Sequence, residues 1–267
     1  MLPTFLLLTV AFPYPWPSQG GTGETLAARI APPPGYVREL EHDHSFAHWL
    51  RHLPLMPEGT PVRLHTGALK PRQDVHAAVL DLDVGARDLQ QCADAVMRLR
   101  AEYLYARGRL SELRFHFTSG HEVSFTRWAA GERPRVEGRH VRWVQGAQKD
   151  SSHAALRAWL DTVFTYSGTQ SLARELRPVD VAQLRAGDVF IQPGSPGHAV
   201  LVVDTAVHPR TGARVFLLAQ SYMPAQSVHV LRNLDNASLS PWYALDFGTE
   251  LRTPEWTFRR TDLRRFE

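Results

Sequence analysis

Four short apolar runs rich in β-branched residues crowd the last third of this chain, and they restrict it to folds built on a sheet. Residues 189–192, 198–207, 215–220 and 228–231 are each strand-length and each bounded by turn residues. Gly187-Asp188 enters the first run, Gly194-Ser195-Pro196-Gly197 leads into the second, and a turn over Pro209 to Gly212 separates the second from the third. Strands joined by such short connections pair antiparallel, because a parallel partner needs a crossover of a dozen or more residues.

Helical signals lie upstream. Phe46, Trp49, Leu50 and Leu53 share one side of a short helix after Ser45, a possible cap, and Pro54 ends it. A strand is read over Val75 to Asp83. Asp88 then reads as the cap of a longer helix, with Gln91 as its reciprocal partner and Leu89, Cys92, Val96, Leu99 and Tyr103 as its apolar stripe. The alternation in 112–117 and 122–128 predicts a β-hairpin, and 131–138, charged and holding Pro134, predicts a loop. A further helix opens at Ser151 or Ser152, burying Leu156, Trp159, Leu160, Val163 and Phe164, with a shorter one over 171–176. Helices early and strands late give an α+β domain, with helices packed on a mostly antiparallel sheet. We place that single domain at 36–267, behind a Pro- and Gly-rich linker at 21–35 and a signal or anchor segment at 1–20. The apolar run Met1 to Phe12 is too short for a stable transmembrane helix and has the length of an export signal's core, although no Lys or Arg precedes it. The expected location is therefore the periplasm or cell envelope.

With 267 residues, 43% of them hydrophobic, the chain can build a core without metal or disulfides. Its net charge of +3 is spread out, with no basic stripe, so no nucleic-acid partner is expected. No cofactor motif stands out.

Chemistry enters with the one cysteine. A helix N-terminus stabilises a thiolate, an imidazole can exchange its proton, and a third polar side chain can hold the imidazole's tautomer. Cys92 near a helix start, His198 at a strand start and Gln220 on the next strand occur in that order. The bland reading of Cys92 is a small core hydrophobe on the helix's apolar stripe.

Leu184 to Ile191, with its Gly187-Asp188 entry, and Gly197 to Val203, opened by His198, resemble the C-terminal half of the NlpC/P60 and papain-like superfamily. Gln91-Cys92-Ala93 stands where that superfamily has an Asp-Cys-Ser-like motif, and the long interval to His198 implies insertions. From about Phe46 onward the chain also resembles an uncharacterised bacterial family, domain of unknown function 4846, through 75–103, 187–204 and 218–226. The first resemblance implies a cysteine hydrolase or transferase acting on amide bonds, with a peptide or cell-wall peptide as substrate. In it Cys92 attacks, His198 exchanges the proton and Gln220 orients the ring. The alternative is a non-catalytic binding module on the same fold.

Two weaker constellations remain. Asp81 and Asp83 alternate on a strand, and His44, His48 and His52 recur at helical spacing; either set could serve a metal-dependent hydrolase. Trp242, Tyr243 and Trp256 read as a C-terminal core cluster, or as a surface that stacks on sugars.

Overall fold

The computed structural model describes residues 14–267, so the expected signal or anchor at 1–20 lies mostly outside the described residues. In chain order the first elements are α1 (Leu26–Arg29), β1 (Val37–Arg38), α2 (Phe46–Arg51), β2 (His76–Val79) and α3 (Cys92–Ala106). The middle of the chain forms β3 (Arg114–His116), β4 (Glu122–Ser124), α4 (Phe125–Ala129), β5 (Glu132–Glu137), β6 (His140–Gln145), α5 (His153–Tyr166), α6 (Thr169–Glu175) and β7 (Arg177–Pro178). The last third supplies β8 (Val189–Gln192), β9 (His198–Val207), β10 (Arg214–Gln220), β11 (His229–Leu231), β12 (Tyr243–Ala244), β13 (Glu250–Arg252), β14 (Thr257–Arg259) and β15 (Leu263–Arg265).

The class is α+β. One nine-stranded sheet runs β2-β11-β10-β9-β8-β15-β7, with β1 added to β9 and β12 to β10, and its pairings are antiparallel. Strand β9 sits at its centre, and nine of its ten residues are buried. Alternation divides that strand between two cores. Ala199, Leu201 and Val203 join Trp49, Leu50, Val96, Leu99 and Trp159 under the helices. Val200 and Val202 join Phe190, Phe216, Leu218, Tyr243 and Phe258 on the other face, which the β13–β14 ribbon covers.

Local expectations were met unevenly. Ser45 and Ser152 cap α2 and α5 through their hydroxyls. Strand β2 is shorter than the run that predicts it, and the predicted hairpin ends at Ser124, where α4 begins. The stretch 131–138, read as a loop because of Pro134, instead pairs as β5 with β6. A two-stranded ribbon is all edge, so the missing proline N–H can face solvent at little cost. The stretch 21–35 is not a free linker. It holds α1, Leu26 is fully buried, and Ile30 is nearly so.

Asp81 explains the docking of this N-terminal arm. Its Oδ1 accepts the Gln19 N–H at 2.6 Å, its Oδ2 accepts the Ser18 hydroxyl at 2.5 Å, and its carbonyl accepts the Trp16 indole N–H at 2.6 Å. Asp83 instead pairs with Arg98 and Arg157. The two carboxylates therefore serve separate contacts and form no common site.

Asp204 ties the arm and α2 to the sheet. Fully buried on β9, it accepts Arg51 Nε and Arg38 Nε, each at 2.7 Å, on its two oxygens. Removing one partner of a buried pair leaves uncompensated charge, which costs more than the pair contributes. Asp204→Ala should lower unfolding free energy by about 3–5 kcal/mol, seen as a lower urea midpoint with unchanged slope.

Candidate active site

Cys92 is the first helical residue of α3, not one turn into it as the sequence suggests. The expected cap, Asp88, is drawn into a tertiary contact: its Oδ1 accepts the Ala225 N–H at 2.6 Å and the Gln91 side-chain N–H at 3.0 Å. Gln91 takes the cap position, and Asp94 Oδ2 accepts the Gln91 backbone N–H at 3.1 Å. The thiol thus sits among first-turn N–H groups that have no intrahelical acceptor.

Its sulfur lies against the Ala199 N–H, one residue beyond His198. Cys92 also lines a cavity of about 380 Å³ with Gln91, Asp94, Thr169, Gly197 and Met223. Gly197 is needed at this wall. A Cβ there would fall 2.4 Å from Thr169 Oγ1 and 2.7 Å from the Gln192 carbonyl oxygen.

His198 opens β9 and is buried. Its Nε2 is 2.8 Å from Gln220 Oε1. Three aromatic rings enclose the imidazole: Tyr222 at 4.8 Å, Trp256 at 5.3 Å and Phe258 at 5.9 Å between ring centres. Gln220 Nε2 donates to Glu255 Oε2 at 2.9 Å, and Glu255 Oε1 receives Lys70 Nζ at 2.7 Å. A second buried imidazole, His229, places Nε2 3.5 Å from Gln220 Nε2.

Of the three residues singled out from the sequence, the fold joins His198 and Gln220 directly and sets the Cys92 sulfur beside the neighbouring peptide. No hydrogen bond links Cys92 to His198 among the described residues. Alternation explains the offset. The His198 ring shares its face with Phe258, whereas Ala199, beside the sulfur, faces the helices. Thiol and imidazole reach the start of β9 from its two sides.

The electrostatics keep both groups neutral. Burial, then the Asp94 carboxyl, push the Cys92 thiol up to about 11, against N–H groups of Ala199, Ala93 and Cys92 itself that favour the thiolate. Burial pushes His198 down to about 4 and His229 down to about 3.

The family model for the domain of unknown function (4846) matches residues 26–265. The chain belongs to that family. No curated protein and no solved structure matches it. The family match takes in α1 and every residue of the site, so the arm that composition marks as linker falls largely within the family's domain.

Sequence reasoning missed Lys70, Tyr222, His229 and Glu255. Lys70 and Glu255 stand 185 residues apart, and nothing local marks either. Trp256 was read with Trp242 and Tyr243; those two are buried, whereas Trp256 is half-buried against His198. The histidines at 44, 48 and 52 make no metal site: among the described residues no group of three metal-ligating side chains converges. Also among these residues, no helix is long and apolar enough to cross a membrane.

The depressed histidines have a thermodynamic consequence. Between pH 6.5 and about 4 the unfolded chain protonates His198 and the native state does not, so stability is lost as pH falls through this window. His198→Gln should flatten the stability-versus-pH slope there by about one proton, measured by urea unfolding at stepped pH.

Proposed function

We propose that this site is that of a papain-like thiol hydrolase or transferase acting on amide bonds, with Cys92 as nucleophile, His198 as proton carrier and Gln220 as the group that orients the ring. The observation that carries the reading is the hydrogen bond between His198 and Gln220, with the thiol of the first residue of α3 against the next peptide N–H. With Nε2 engaged by Gln220, His198 Nδ1 is the nitrogen left to exchange a proton. In the reading, the thiol proton passes to Nδ1 as sulfur adds to the acyl carbon. The imidazolium then protonates the departing amine, and water releases the acyl group by the reverse transfers. The Cys92 N–H at the start of α3 is one donor for the developing oxyanion. The NlpC/P60 likeness of 184–203 supports peptides, including cell-wall peptides delivered after export, as the substrate class.

The resting state of this reading is a neutral thiol beside a neutral imidazole. Proton transfer from a group near 11 to one near 4 is uphill by on the order of 10 kcal/mol. A standing thiolate–imidazolium pair is therefore not the ground state, and attack requires the two side chains to close around the strand start when substrate enters. Iodoacetamide labelling of Cys92 should accordingly rise about tenfold per pH unit through the alkaline range towards 11. A plateau at neutral pH would contradict that neutral ground state.

A second reading, a binding module without chemistry, is favoured by the burial of Cys92 and by its separation from the ring. Cys92→Ala and His198→Ala decide between them. Under the enzyme reading each lowers hydrolysis of peptidoglycan fragments by at least 10³-fold without loss of fold. Unchanged turnover in Cys92→Ala would refute the thiol mechanism, and absent turnover in the native protein alongside retained binding would establish the module.

A further inference from the structure

We propose that Glu255 is the positioning residue of this site: its carboxylate decides which way the Gln220 amide faces, and through that amide it places the His198 proton on Nε2. This goes beyond the reading above, because it concerns the ground state of His198 and holds whether or not Cys92 attacks a substrate.

The argument is one of donors and acceptors. The two ends of a glutamine amide have nearly the same shape, so packing alone does not choose between them. Glu255 Oε2, as a carboxylate, only accepts, so the amide end 2.9 Å away is the NH2 of Gln220. The carbonyl oxygen of Gln220 then faces His198 at 2.8 Å, and it too only accepts. His198 Nε2 must carry the proton, leaving the lone pair on Nδ1. Lys70 completes the chain. Buried, it donates a hydrogen bond at 2.7 Å to the other Glu255 oxygen and lies 5.0 Å from the centre of the Tyr222 ring.

His229 is the competing candidate. Its Nδ1 is 2.8 Å from the Ser227 carbonyl and so bears hydrogen, which leaves Nε2 as an acceptor for the second amide hydrogen of Gln220. At 3.5 Å that contact is long and weak, whereas the contact to Glu255 is short and charge-assisted. Glu255 therefore outweighs His229. Its place in the turn between β13 and β14, next to Trp256 on the His198 ring, makes that ribbon part of the site.

Replacing the carboxylate by its amide makes the claim sharp. Lys70 can only donate. In Glu255→Gln the new side chain therefore turns its carbonyl oxygen to Lys70 and its NH2 to Gln220. Gln220 flips to accept it and presents its own NH2 to His198, and the imidazole proton moves to Nδ1. Adding Lys70→Met removes the demand for that oxygen, so the new amide can turn back and Nε2–H returns. The test is two-bond ¹H–¹⁵N correlation spectroscopy of the full ¹⁵N-labelled chain at neutral pH, with His198 assigned by its loss in His198→Gln. Expected are Nε2–H in the native protein, an exchange of the two ring-nitrogen shifts in Glu255→Gln, and their restoration in the double variant. Retention of Nε2–H in folded Glu255→Gln would overturn the proposal and give the role to His229. Failure of Lys70→Met to restore it would overturn the chain through Lys70. Should Glu255→Gln fail to fold, His229→Phe decides: it leaves Glu255 as the partner of the Gln220 NH2 and must keep Nε2–H, and loss of Nε2–H there overturns the proposal. Peptide hydrolysis plays no part in this readout, so its absence would count against the enzyme reading alone.

Discussion

Strand β9 is buried on both faces, and its two-residue period forces each side chain to belong to one core or the other. A slip of one register would send Val200 and Val202 into the helices and Leu201 and Val203 into the opposite core. That constraint fixes more than packing. It also decides that His198 enters the aromatic enclosure of Phe258 and Trp256, while the peptide that follows it turns towards the start of α3. The site is thus a product of the strand's first two residues lying on different sides, and Gly197 lets the chain enter tightly enough to permit it.

The strands of the last third were legible because β-branched runs between turn signals have few alternatives, and β8 to β11 fall where those runs predict. Two of the misreadings share a cause, long-range contact overriding a local signal. Asp88 has the right spacing for a cap, but Ala225, 137 residues away, claims its carboxylate, and the helix starts four residues later. Residues 21–35 have a linker's composition, yet Trp16, Leu26 and the Asp81 hydrogen bonds dock the arm that contains them. Cys92, His198 and Gln220 were nameable because a lone thiol, an imidazole at a strand start and an amide on the next strand are chemically distinctive types. Lys70 and Glu255 were not, since among 57 acidic and basic side chains nothing local separates a relay from a solvated surface.

Charge placement around β9 follows a consistent rule. Where ions are buried they are paired, as at Asp204 with Arg38 and Arg51, Asp188 with Arg265, and Glu255 with Lys70. Where a titratable group lacks a counter-ion, burial pushes it towards its neutral form, as with Cys92, Asp94, His198 and His229. The candidate site collects this second kind around the start of β9. A group of neutral acids and bases held close together, with proton positions set by hydrogen bonds, keeps its protons in place until a change in its surroundings lowers the cost of moving them.

That arrangement bears on how a thiol site here would differ from one built on a permanent thiolate. A thiolate stabilised at rest is reactive towards any electrophile that reaches it. A thiol held near 11 beside a base near 4 is inert until something changes the surroundings of both. The cavity wall formed by Gly197, Thr169 and the exposed Met223 is where a ligand would make that change, since an acyl group bound there would set its polar atoms beside the sulfur. Selectivity would then come from activation by the fitting ligand more than from affinity, at the cost of slow intrinsic reactivity. The same physics leaves a chemically silent module one step away. Without a ligand that draws sulfur and imidazole together, burial alone keeps Cys92 a small apolar side chain under the end of β9.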